Sequence, residues 1–173
     1  MITKEQEEWL NHLSDTSSVK IAPFDPESGQ KFERIKKEIQ AVLGKEAQVL
    51  HRGASAMGIS GQPEIDIYIP VPPEKFDYTV SLLVGAFGQP YSAYALERTK
   101  FILKRDEIKL EIMVVNETCK SWKDNQAFYG YVSAHPDALE QYRKLKEEAG
   151  GLSNRAYYRK KIEFINEILA KAG

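Results

Sequence analysis

The segment Glu64-Ile65-Asp66-Ile67-Tyr68-Ile69 constrains the fold of this chain more than any other stretch. Its isoleucines alternate with Glu64, Asp66 and Tyr68, the period of two that sends successive side chains to opposite faces of a strand. One face is apolar and has to be buried; the other carries two carboxylates and a phenol. Pro70, Pro72 and Pro73 end the run, because proline cannot donate to a strand ladder. A strand of this kind needs paired neighbours and a layer over its apolar face.

The surrounding sequence supplies both. Strands are predicted over residues 47–52, 98–104 and 108–115, the last two joined by the polar turn Arg105-Asp106-Glu107. Phe32, Ile35, Ile39, Val42 and Leu43 mark a helical stripe that stops at Gly44, and Phe76, Val80, Leu83, Val84 and Phe87 mark another closed by Gly88. Upstream, Thr3 to Leu13 reads as a helix with a Thr3/Gln6 capping box. Val19-Lys20-Ile21 is extended and runs into Pro23-Phe24-Asp25-Pro26, where Asp25 is placed to cap the next helix with Pro26 in its first turn. Gly53 to Gly61 reads as a glycine-bearing turn. After Cys119 the pattern becomes helical. One helix carries Trp122, Phe128, Tyr131 and Val132 and ends near His135-Pro136; a second spans 137–149; a third, capped by Ser153, runs to about Ala172. The expected class is α/β (α+β), a mixed β-sheet flanked by helices. We read one domain over 1–173, with an α/β core at 1–118 and a helical C-terminal region at 119–173 packed on it.

Charge and cysteine usage narrow the function. The 24 basic and 25 acidic side chains leave a net charge of −1, so no whole-molecule field exists to hold a nucleic-acid backbone or an anionic membrane. A lone cysteine, Cys119, excludes an intramolecular disulfide, and His12, His51 and His135 form no zinc pattern. The opening MITKEQEEWLNHL lacks the basic and apolar regions of an export signal, so the expected location is the cytoplasm. The sequence does not indicate an oligomeric state.

Glu64 and Asp66, two apart on a strand, point to one face, where their oxygens can converge on a cation. Magnesium takes hard oxygen ligands and is commonly held by one or two carboxylates plus substrate phosphates. Lys109-Leu110-Glu111-Ile112-Met113 offers a third acid, Glu111, with Lys109 on the same face to neutralise it. Gly53 and Ser55 precede the acidic strand at a spacing suited to a phosphate-cradling turn, in which backbone N–H groups and a hydroxyl face the anion.

Several ordered blocks resemble the GrpB family. Val49-Leu50-His51-Arg52-Gly53-Ala54-Ser55 followed by Gln62-Pro63-Glu64-Ile65-Asp66-Ile67 looks like that family's His-x-Gly-Ser-Thr and Lys-Pro-x-Ile-Asp-Ile pattern. Val19 to Pro26 resembles its segment before the first core helix, and Tyr142-x-x-x-Lys146 with Tyr157-x-x-x-Lys161-x-x-Phe164 resembles its C-terminal signature. The resemblance spans about residues 19–172 and implies a nucleotidyltransferase-type fold with its site at Asp66. Three positions depart from the pattern. Ala54 removes a hydroxyl from the turn and Gln62 removes a cation, whereas Glu64 restores an acidic pair.

The resemblance leads to two expectations. As an enzyme, the chain would transfer a nucleotidyl group from a nucleoside triphosphate to an acceptor, with Asp66, Glu64 and Glu111 as catalytic residues and ligands of Mg²⁺. Arg52, Gly53, Ser55, His51, Tyr157, Lys161 and Lys146 would bind substrate or its phosphates. As a catalytically degraded relative, it would keep ligand binding alone. Residue by residue, other readings stay open. Asp66 and Glu111 can be held in structural ion pairs, and Glu64 can lie at the solvent end of its strand. His51 can serve substrate or pin the turn by a hydrogen bond. Alternation sends His51 and Arg52 to opposite faces, so only one of them would serve the site. The basic stretch holding Lys146, Tyr157 and Lys161 is either a solvated helix face or a phosphate screen.

Overall fold

The computed structural model describes residues 1–173. Its backbone divides into two compact units. One comprises Phe24–Ile59 and Pro63–Lys123; the other comprises Met1–Pro23, Ser60–Gln62 and Asp124–Gly173. The segment through Pro23 therefore belongs with the C-terminal helices, and the division near the C-terminal side falls at residues 123–124 rather than 118–119.

The α/β unit is built on a five-stranded mixed sheet of β1 (Leu50–Arg52), β2 (Glu64–Val71), β3 (Ser92–Tyr94), β4 (Arg98–Arg105) and β5 (Ile108–Asn116), in the order β1-β2-β5-β4-β3. Only β2 and β5 run parallel; the other pairs are antiparallel. Parallel neighbours need a crossover, and α4 (Pro73–Phe87) lies in the chain between them, before the β3–β4–β5 run. Ile65, Ile67, Ile69, Leu110, Ile112, Val114 and Phe101 fill one face of the sheet. Phe32, Ile35 and Ile39 from α2 (Ser28–Leu43), with Phe76 and Leu83 from α4, close over them as one core. Gly44 (φ +99) and Gly88 (φ +87) end these helices in a conformation that L side chains rarely adopt. The β4–β5 turn is made by Asp106 and Glu107, both at positive φ, the twist that a two-residue hairpin requires.

Several readings of the sequence change on contact with the structure. Residues 53–57, expected as open turn, form a short helix α3 (Gly53–Met57). Pro26 lies ahead of α2 rather than in its first turn. The cap position falls on Glu27 rather than Asp25, whose carboxylate accepts from the Glu27 amide at 2.9 Å just ahead of the helix and pairs with Lys31 at 2.6 Å. The edge strand β3 leaves no mark in the sequence pattern: Ser92-Ala93-Tyr94 is three residues long and shows no apolar alternation.

The helical unit contains α1 (Lys4–Asn11), the C-terminal part of α5 (Lys120–Ala134), α6 (Pro136–Glu148) and α7 (Asn154–Ala172). The Thr3/Gln6 capping box is present, and Ser153 accepts from the Ala156 amide at the start of α7. Rings of Phe128, Tyr142 and Phe164 pack together, with Tyr142 and Phe164 stacked at 5.2 Å. Glu7–Arg159 and Asp15–Arg155 ion pairs join the N-terminal segment to α7. No helix is long and apolar enough to cross a membrane.

Candidate functional site

Burial of Ile65, Ile67 and Ile69 on one face of the sheet forces Glu64, Asp66 and Tyr68 onto the other. Register then decides their company. Asp66 lies opposite Glu111 on β5 and opposite Arg52 on β1; Glu64 lies opposite Lys109; Tyr68 lies opposite Met113. On β4, Ile102 lies opposite Glu111, with Lys100 and Lys104 two residues to either side. This polar face thus gathers three carboxylates among Arg52, Arg98, Lys100, Lys104 and Lys109, more cations than anions.

One oxygen from each of Glu64, Asp66 and Glu111 lies within 4.8 Å of the other two. Oxygens bound to a single Mg²⁺ at about 2.1 Å span at most ~4.2 Å across the ion, a span of the same order as the spacing of this set. The donors are also of the right kind, hard and anionic, and the set fits that ion chemically.

Gly53 shapes the site from the other side. Its backbone, at φ +72, runs so close to Asp66 that a Cβ placed there would lie 1.9 Å from Oδ2. Position 53 must be glycine both for the backbone angle and for the room it leaves to the carboxylate. The Asp66 side chain is therefore held against the turn that begins α3.

Glu64 and Glu111 are ion-paired. Lys109 Nζ bridges them, 2.9 Å from Glu64 Oε2 and 2.6 Å from Glu111 Oε1, and Lys100 Nζ lies 2.9 Å from Glu111 Oε2. Partial burial pushes the Glu111 carboxyl up, but hydrogen bonds from Lys109 and Lys100 outweigh it and hold the group below the ordinary glutamate range. Burial likewise opposes the Lys109 charge, and the bonds to Glu111 and Glu64 more than offset it, so this ammonium stays protonated above the ordinary lysine range. The expected neutralisation of Glu111 by Lys109 is present; Lys100 is an addition that the sequence does not suggest. It reaches Glu111 diagonally across the β4–β5 pair, a relation visible only once register is known.

His51 and Arg52 part to opposite faces, as alternation requires. The His51 ring stacks on Phe32 with centroids 4.7 Å apart, and its Nε2 lies 2.9 Å from Ser55 Oγ. Burial lowers the His51 pKa to about 4, only partly countered by Glu33 and reinforced by Arg52, so the ring is neutral at pH 7. His51 thus pins the turn that carries Gly53 and Ser55. The Arg52 guanidinium sits 5.8 Å from the Trp122 ring, which stacks with Tyr68 at 5.9 Å. This aromatic support escapes the sequence because Trp122 comes from α5, far along the chain.

Lys146, Tyr157 and Lys161 belong to the helical unit. Tyr157 is fully buried beside Val19 and Ala149, and its hydroxyl accepts a hydrogen bond from the buried Lys146 ammonium at 3.1 Å. Lys146 also lies 4.9 Å from the Tyr142 ring, and Lys161 lies 5.3 Å from the Tyr158 ring. Within this unit Lys146 and Tyr157 are interior groups hydrogen-bonded to each other, not a solvated helix face.

A model of the family described as GrpB protein matches residues 18–171. The chain is also similar to the crystal structure of conserved protein GrpB from Enterococcus faecalis, at 20% identity and a TM-score of 0.68, over 88% of this chain and 96% of that one. At that identity the likeness is one of fold. No curated protein matches the chain.

Proposed function

The chain belongs to the GrpB family, and from that premise we propose that its α/β unit binds a nucleoside triphosphate with Mg²⁺ and transfers the nucleotidyl group to an acceptor hydroxyl. The observation that carries this reading is the convergence of Glu64, Asp66 and Glu111 within 4.8 Å, with Gly53 closed onto Asp66. These three carboxylates would hold Mg²⁺, which would supply neutralising charge for the phosphates.

The remaining roles fall to the chain's own groups. The Gly53–Ser55 turn receives phosphate oxygens. With His51 in its Nε2–H tautomer, the imidazole donates to Ser55 Oγ and leaves the hydroxyl proton free for a phosphate oxygen. Lys109 and Arg52 neutralise the polyphosphate from the polar face while Lys100 stays on Glu111; Arg52 is held for this by Trp122. In the transfer, the acceptor oxygen forms a bond to the α-phosphorus and the bond to the β-phosphate oxygen breaks. Pyrophosphate leaves with that electron pair, and the hydroxyl proton passes to a carboxylate. Catalysis on this plan is positioning and electrostatics.

Thermal denaturation with each common nucleoside triphosphate tests the proposal. Triphosphate and Mg²⁺ together raise the melting temperature, and Asp66→Asn abolishes the rise. Absence of a Mg²⁺-dependent rise with every triphosphate sinks it.

A second reading, binding without transfer, is favoured by the Lys109 bridge across two of the carboxylates and by Ala54 at a hydroxyl position of the family pattern. It predicts stabilisation by a triphosphate with no pyrophosphate released, and binding that survives Asp66→Asn.

A further inference from the structure

We propose that Lys109 is a tethered counter-ion that the site exchanges for a divalent cation only when a polyphosphate is present to take the ammonium. The inference rests on the reading of Glu64, Asp66 and Glu111 as cation ligands and concerns how that site is gated.

The geometry supplies the exchange. Lys109 Nζ sits between Glu64 and Glu111, using one oxygen of each at 2.9 and 2.6 Å. An ammonium there occupies lone pairs that a divalent cation would need, and two cations cannot share them without strong repulsion. The partners differ in freedom. The Glu64 and Glu111 side chains are only 13% and 15% exposed, whereas that of Lys109 is 42% exposed. The carboxylates are fixed in the sheet, and the lysine is a flexible stem on the open side, so the lysine is the group that moves.

A divalent cation arriving alone has to expel an ammonium whose only alternative is water. A cation arriving with a polyphosphate expels it onto a phosphate oxygen, where the ion pair is regained. Cation and polyphosphate therefore reinforce each other's binding, a coupling that in proteins commonly amounts to about 5- to 150-fold. Lys100, on the remaining oxygen of Glu111 at 2.9 Å, stays with the carboxylates and keeps that side chain oriented.

The test follows Mn²⁺ binding by loss of the free-ion EPR signal, and separately binding of the preformed Mn²⁺–tripolyphosphate complex by calorimetry. Wild type is compared with Lys109→Met and Lys109→Gln, so that poor folding of one variant leaves the other. Lys104→Met serves as a control: Lys104 shares the face but pairs with Glu107 at 2.7 Å. Both Lys109 variants should bind Mn²⁺ alone at least about 10-fold more tightly than wild type while binding the tripolyphosphate complex about as tightly as wild type does, so the advantage of the complex over the bare ion shrinks by at least about 10-fold; Lys104→Met leaves that advantage unchanged. A merely structural lysine would move the two affinities together and leave that advantage as it is in wild type. Equal Mn²⁺ affinity in wild type and both variants overturns the exchange while leaving the cation site standing. No binding of either probe by any of these proteins removes the cation site itself.

Discussion

Replacing Gly53 by alanine separates two costs that the structure places on one residue. The backbone there has φ +72, and a left-handed conformation costs an L residue about 1–2 kcal/mol. The new Cβ would also lie 1.9 Å from Asp66 Oδ2, whereas ordinary contact begins at 3.4 Å, so the carboxylate has to retreat by about 1.5 Å. Overpacking of that kind adds about 1–3 kcal/mol and moves Asp66 off the carboxylate set. Gly58 supplies the comparison, because it has the same φ of +72 and a methyl added there would meet nothing within 4 Å. Gly58→Ala should therefore cost about 1–2 kcal/mol and Gly53→Ala about 2–5 kcal/mol. For a chain of this size each kcal/mol is roughly 2–4 °C in Tm. In an Asp66→Ala background the excess cost of Gly53→Ala should shrink toward the Gly58 value, which thermal denaturation of the four variants measures as a double-mutant cycle. Equal costs at positions 53 and 58, or an excess unaffected by removing the Asp66 carboxylate, refute the reasoning.

Other perturbations probe the remaining parts of the site. The His51 pKa is depressed to about 4 by burial, below its unfolded value near 6.5. The folded state therefore resists protonation, and the stability held above about pH 6.5 is lost as pH falls toward 4. Allowing for the ring's partial exposure, the loss should be about 1–2 kcal/mol, absent in His51→Gln, as urea denaturation at pH 7 and pH 4.5 would register. Tyr157→Phe removes the hydroxyl that accepts from buried Lys146 at 3.1 Å. It should cost about 1–3 kcal/mol in stability. Unchanged stability would contradict this account of the pair.

The legibility of the sequence is uneven, and for physical reasons. β2 is readable because three isoleucines alternating with Glu64, Asp66 and Tyr68 admit one arrangement, and that alternation alone places the two carboxylates on one face. Likewise the stripes of α2 and α4 and their terminal glycines leave little choice of boundary. β3 is invisible because a short edge strand buries almost nothing, and its stability comes from pairing with β4. The expected Asp25 cap fails because the helix starts at Ser28, two residues beyond Pro26, which puts Glu27 at the cap position. In the site, parity gives the face but not the neighbours. That Asp66 meets Glu111, and that Lys100 reaches Glu111, depends on register between strands set by the whole core. Lys146 and Tyr157 stand out in the sequence as residues of interest, yet their burial against each other cannot be read from helical spacing.

The most direct measurement is diffraction from crystals soaked with Mn²⁺ and a non-hydrolysable nucleoside triphosphate, with the metal located by its anomalous signal. The account predicts a peak between Glu64, Asp66 and Glu111, phosphates against the Gly53–Ser55 turn, and Lys109 moved from the carboxylates to a phosphate oxygen. A peak elsewhere, or none, with Lys109 still bridging Glu64 and Glu111, would contradict it.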